Sequence, residues 1–114
     1  MYANFFELVG RTIVDITAIE PEGDYIQIKT NDGTYSIYHQ QDCCEFVRIT
    51  KVIGNPQDLV GQEIVFAEDD SVNASGGTLT TQKLCAANGA ELTIVWLGES
   101  NGYYSETVTV SKSV

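Results

Sequence analysis

The chain has 114 residues, enough for one hydrophobic core and too few for two. Its 43% hydrophobic and 19% charged content describes a chain that folds, not a disordered tail. Sixteen Asp and Glu against six Lys and Arg leave a formal net charge of -10, which argues against general binding of phosphate backbones through counterion release.

In chain order, Asn4 to Leu8 reads as a short helical turn with Phe5, Phe6 and Leu8 as its apolar contacts, too short to hold itself unaided. Everything after Gly10 reads as strands. Arg11 to Ile19 is rich in β-branched residues and ends at a turn made by Pro21, Gly23 and Asp24. Tyr25 to Thr30 and Thr34 to Gln40 flank Asn31-Asp32-Gly33, a tight hairpin signal. Cys43 to Ile53 stops at Gly54-Asn55-Pro56, where the proline lacks a backbone donor. Gln57 to Val60 reads as a turn before a strand from Glu63 to Ala67. Glu68 to Gly77 is polar, small and turn-rich, and is read as a mobile loop. Thr78 to Ala86 and Glu91 to Leu97 flank Asn88-Gly89, and a last strand from Tyr103 to Val110 follows a turn at Asn101-Gly102. The expectation is one all-β domain over residues 1–114 with a short N-terminal helix, an antiparallel meander forming a small sandwich or half-open barrel.

The opening MYANFFELVGR lacks the basic region, apolar stretch and cleavage site of a secretory signal, and no apolar run approaches the roughly 18 residues of a membrane span. These features lead to the expectation of a cytoplasmic protein without membrane contact. Cys43, Cys44 and Cys85 are odd in number, and bridged Cα atoms favour roughly 5.5 Å, so three reduced thiols are expected.

Side chains alternate between the faces of a strand, so apolar parity marks the core side. Tyr35 and Ile37 share a parity with His39. Val47 and Ile49 share theirs with Glu45 and Cys43, and Tyr104, Val108 and Val110 share theirs with Glu106. A histidine and two glutamates thus carry core parity. Rim positions near strand ends explain each one singly. Convergence on one polar patch explains all three, because a buried glutamate is costly unless it is paired or protonated. Such a trio reads as a structural network, a recognition patch or a proton-transfer set.

Two segments concentrate chemistry. His39 to Glu45 holds an imidazole, two carboxylates and two thiols. Closed zinc sites need four Cys or His ligands, and adjacent cysteines on a strand point to opposite faces, so no metal or other cofactor is expected. A Cys43 nucleophile activated by His39 is weighed against a small, inert core thiol, and the inert thiol is preferred. Trp96 to Glu106 combines a turn at Asn101-Gly102 with Tyr, Ser and Asn of the kind that adaptable binding surfaces use. The candidate binding residues are His39, Gln41, Asp42, Cys43, Glu45, Trp96, Ser100, Asn101, Tyr103, Tyr104 and Glu106, with no catalytic residue assigned.

On these segments the chain resembles a family of small phage and bacterial proteins known only as a domain of unknown function. The resemblance rests on Leu8-Val9-Gly10-Arg11-Thr12-Ile13, on His39 with Gln41-Asp42-Cys43-Cys44-Glu45, and on Trp96 to Glu106 with its Ser-Asn-Gly-Tyr-Tyr-Ser-Glu run. It covers most of the chain. It departs around Ser71 to Gly77, where the loop is short, and at Cys85, which has no counterpart. The resemblance implies a phage or prophage origin and brings no activity with it.

Three function classes follow. The first is a non-enzymatic protein that binds a host factor or small metabolite, of host-takeover or anti-defence type, through the rim formed by the two segments. The second is an acidic nucleic-acid mimic inhibiting a DNA-handling or defence enzyme, for which acids as dispersed as Glu20, Asp32, Asp58 and Glu68 to Asp70 are a poor fit. The third is a small enzyme using His39, Glu45, Glu106 or Cys43, and a virion component is a further alternative. Open sheet edges also make a homo-oligomer an expected partner.

Overall fold

A computed structural model describes residues 2–17, 19, 21–41, 44–74, 76–100 and 105–113, of which residue 74 is described in its backbone alone. Among the described residues, nine strands form two antiparallel sheets. The first sheet contains β1 (Tyr2–Ala3), β2 (Ile13–Thr17), β3 (Tyr25–Thr30), β4 (Gly33–Tyr38) and β9 (Thr109–Ser113), in the spatial order β1-β9-β4-β3-β2. The second contains β5 (Phe46–Ile53), β6 (Ile64–Ala74), β7 (Gly77–Ala86) and β8 (Glu91–Glu99), in the order β5-β8-β7-β6. Each sheet is therefore a three-strand meander, β2–β4 or β6–β8, widened by strands that cross from elsewhere in the chain.

Alternation builds the core. Ile26 and Ile28, Tyr35 and Ile37, Val47 and Ile49, and Leu92, Ile94 and Trp96 all lie on inward faces and are buried. Fully burying each such side chain stabilises the fold by about 1.5–3 kcal/mol relative to exposure. Two 3-10 turns plug the sandwich. Phe5–Leu8 buries Phe5 and Leu8, Pro56–Leu59 buries Leu59, and Phe6, expected among the contacts, is exposed instead.

The sheets are stitched together at both sides. Backbone bonds join residues 10–13 to 61–64, including Gly10 N–H to Ile64 O at 2.8 Å and Gly61 N–H to Ile13 O at 2.7 Å. Across the molecule, Glu22 N–H donates to Ile49 O and Ile49 N–H to Gly23 O, both at 2.7 Å, so the β2–β3 connection covers part of the free edge of β5. A sandwich with sewn corners results, 41 × 27 × 19 Å in extent.

Three sequence expectations need correction. Residues 68–74 belong to strand β6, paired with β7 from Glu68↔Lys83 to Ala74↔Gly77, and do not form a loop. A ladder partner of matching length overrides their weak strand propensity. The last strand begins at Thr109, so Glu106 precedes it and takes no strand parity. Cys44 is disulfide-bonded, whereas three reduced thiols were expected; only Cys85 of the two described cysteines is free. The Cα-spacing argument weighs against an unstrained bridge and does not forbid a bridge.

Candidate functional site

Antiparallel pairing gathers five strand ends at one rim of the sandwich. Tyr38 at the end of β4 pairs with Thr109 at the start of β9. Phe46 at the start of β5 pairs with Glu99 at the end of β8, and Gly98 pairs with Thr78 at the start of β7. His39, Glu45, Ser100 and Glu106 each lie just beyond one of these ends.

His39 and Glu45 meet there. Their side chains are 6% and 1% exposed, with Nε2 and Oε2 3.3 Å apart. The Nδ1 atom of His39 lies 2.7 Å from the carbonyl oxygen of Thr107. That oxygen can only accept, so Nδ1 carries a proton and donates it. Nε2 lies against the carboxylate without an aligned hydrogen bond, since it has no bond of good geometry. Gln41 Nε2 donates to Glu45 Oε1 at 3.0 Å and also to the Glu45 backbone carbonyl. A buried carboxylate is thus held by an imidazole and an amide reaching back from the preceding connection.

Glu106 is anchored next to the residue that His39 grips. Ser100 Oγ donates to its Oε2 at 2.5 Å and Thr78 Oγ1 to its Oε1 at 2.8 Å. These bonds, from Ser100 first and Thr78 second, hold its carboxyl below the usual glutamate range. Gly98 lies beneath this segment, where a Cβ would overlap the Glu106 carbonyl oxygen.

Cys44, Glu45, Phe46, Glu99 and Ser100 line an open depression of about 380 Å³ beside the network. Its polar walls are largely committed: Glu45 to His39 and Gln41, Ser100 to Glu106, and Glu99 to Arg48 Nη1 at 2.8 Å. The Arg48 guanidinium also stacks 4.6 Å from the Phe46 ring centroid. Phe46 itself is half-exposed and offers apolar surface at the mouth.

Of the candidate residues, the structure brings together His39, Gln41, Glu45, Ser100 and Glu106. Asp42, Cys43, Asn101, Tyr103 and Tyr104 lie outside the described residues. Trp96 is not a surface residue of this rim: it is 1% exposed in the core, with Nε1 donating to Gln82 Oε1 at 2.9 Å. Its indole needs a polar partner inside, and the inward row of β7 supplies one. Sequence reasoning missed Thr78, Phe46 and Glu99. Thr78 was findable from parity, since Thr78, Thr80 and Gln82 continue the buried register of Leu84 and Ala86. Among the described residues, no three His, Cys, Asp or Glu side chains are grouped to hold a metal ion.

A family model described as a domain of unknown function, DUF7448, matches residues 6–110. No curated protein and no solved structure matches the chain.

Proposed function

We propose, from the premise that the chain belongs to the DUF7448 family, that it is a phage or prophage protein. In this reading it acts in the host cytoplasm as a non-enzymatic binder of a host factor or small metabolite. The observation that carries the non-enzymatic part is the commitment of the polar groups. His39 and Glu45 are buried against each other, and the Glu106 carboxylate is occupied by two hydroxyls. A general acid or base must reach a substrate proton, and groups so engaged serve better to fix the two segments around the depression. The cavity is of a size that small ligands fill, and its half-exposed phenyl ring gives a partner an apolar anchor. The phage or prophage origin rests on the family resemblance alone.

The test uses Phe46→Ala, because Phe46 lines the depression while contributing little to the core. Tagged wild-type and variant proteins are used to capture partners from host lysate and from a metabolite pool, with circular dichroism confirming the fold. The reading expects a captured species that the variant loses. Capture that persists unchanged in Phe46→Ala would place binding elsewhere, and capture abolished by salt would favour the acidic-mimic reading.

A further inference from the structure

Among the described residues no element covers the outer face of the second sheet. Reading across the ladder from β5 to β6, one row runs Arg48, Leu97, Leu79, Val72 and the next runs Lys51, Val95, Thr81, Asp70. Leu97, Val95 and Leu79 keep part of their surface exposed in the middle of this face, and Val72 is 53% exposed. In these two rows the cations, Arg48 and Lys51, lie on β5 and the acid, Asp70, on β6, while Lys83 of β7 in the next row is paired with Glu91. Arg48 is already paired with Glu99, but among the described residues neither Lys51 nor Asp70 has an ion-pair partner within the chain.

We propose that this face is a two-fold contact with a second copy of the chain. A two-fold axis along the strands, between β8 and β7, lays β5 of one copy over β6 of the other. Leu97 then covers Leu79 of the partner subunit at the centre. Lys51 faces the partner's Asp70, and the same pair forms again on the opposite side of the axis, as an isologous contact requires. Aligned sheets pack at about -30°, a rotation that shifts the outer strands by roughly one residue, within the reach of a lysine side chain. The alternative two-fold axis, across the strands, would stack β5 on β5 and β6 on β6, setting like charges together. Edge-to-edge pairing through β6 would oppose Glu68, Asp69 and Asp70 to their own copies and is disfavoured for the same reason. With strands about 4.8 Å apart and a rise of about 3.3 Å per residue, the four-stranded face spans about 600 Å² on each copy, near the low end for a specific dimer. The dimer is therefore expected to depend on concentration.

The experiment is sedimentation equilibrium of the full chain across a concentration series. Moderate salt screens the long-range repulsion between two copies that each carry a net charge of -10. Wild type is expected to dimerise. Lys51→Glu and Asp70→Lys each convert two attractive contacts into repulsive ones and should weaken association about tenfold or more. The double variant K51E/D70K re-creates the pair in reverse and should restore it. A chain that stays monomeric up to its solubility limit would overturn the proposal. So would a dimer indifferent to the single swaps, or one that the double swap fails to restore.

Discussion

Glu106 connects the sequence reading to a measurable property. Its carboxyl is lowered by Ser100 and Thr78, so the folded state holds the charged form more tightly than the unfolded state does. That contribution is complete above the ordinary glutamate range and is lost as pH falls through the lowered value. Thermal melts of the wild type should therefore show a Tm that begins to fall as pH drops into the ordinary glutamate range and goes on falling below it. Glu106→Gln keeps a polar group for both hydroxyls but cannot titrate, so it should melt lower at neutral pH and lose less on acidification. Asp32 and Glu91 are lowered by Lys112 and Lys83 in the same way, so the slope should flatten in part and not vanish. A Glu106→Gln profile parallel to wild type would show that the carboxylate gains nothing from folding. At this scale, parity made Glu45 legible, because a charged residue in register with Val47 and Ile49 has few ways to be buried. Parity misplaced Glu106, which reaches the rim from an irregular segment, and the parity that marks Thr78 as buried does not say that its partner is Glu106, twenty-eight residues away.

Between elements, the tightest constraint is where β8 passes under the segment leading into β9. Gly98 has no side chain there because the Glu106 carbonyl fills the space, and the Cβ of Glu106 would lie 2.8 Å from an added methyl. The neighbour is backbone and cannot turn aside as a flexible side chain would. Gly98→Ala should cost roughly 1–3 kcal/mol and displace the carboxylate from Thr78. Urea denaturation monitored by Trp96 fluorescence would measure the loss, and an unchanged midpoint would mean that the segment yields freely. The same scale explains which elements the sequence disclosed. The β3–β4 hairpin was legible because Asn31-Asp32-Gly33 specifies its own turn, and the β7–β8 hairpin because Asn88-Gly89 does likewise, with Gly89 at φ +89°. The far half of β6 was illegible because Glu68, Asp69, Asp70, Ser71 and Asn73 favour turns on their own. Their strand exists through ten-residue β7, whose backbone bonds a local reading does not weigh. The acids that disguised the strand also suit its position, since charge on an edge strand discourages further pairing.

For the whole molecule, the question is what a net charge of -10 does to a body only 19 Å thick in its shortest dimension. Among the described residues, four of the six cations have an ion-pair partner. Arg11 and Lys112 both reach Asp32 Oδ2, at 3.0 and 2.6 Å, Arg48 holds Glu99, and Lys83 holds Glu91 at 2.9 Å. These contacts use up few of the sixteen acids, and the exposed remainder, including Glu68, Asp69 and Asp70, repel one another across the surface. The Debye length falls from about 30 Å at 0.01 M salt to about 3 Å at 1 M, so this repulsion spans the molecule in dilute buffer and is confined to nearest neighbours at high salt. Unfolding spreads the charges apart, and self-repulsion therefore favours the unfolded chain. Calorimetry at a fixed protein concentration should show Tm rising as sodium chloride is added. A gain of about 1 kcal/mol corresponds to roughly 4–8 °C for a domain of up to about 100 residues, and somewhat less for one slightly longer. The four cation contacts push the other way, because screening weakens them too, but exposed pairs are worth at most about 1 kcal/mol each. A Tm that falls with salt would mean that these pairs outweigh the repulsion, and that the acidic surface is locally neutralised despite its composition.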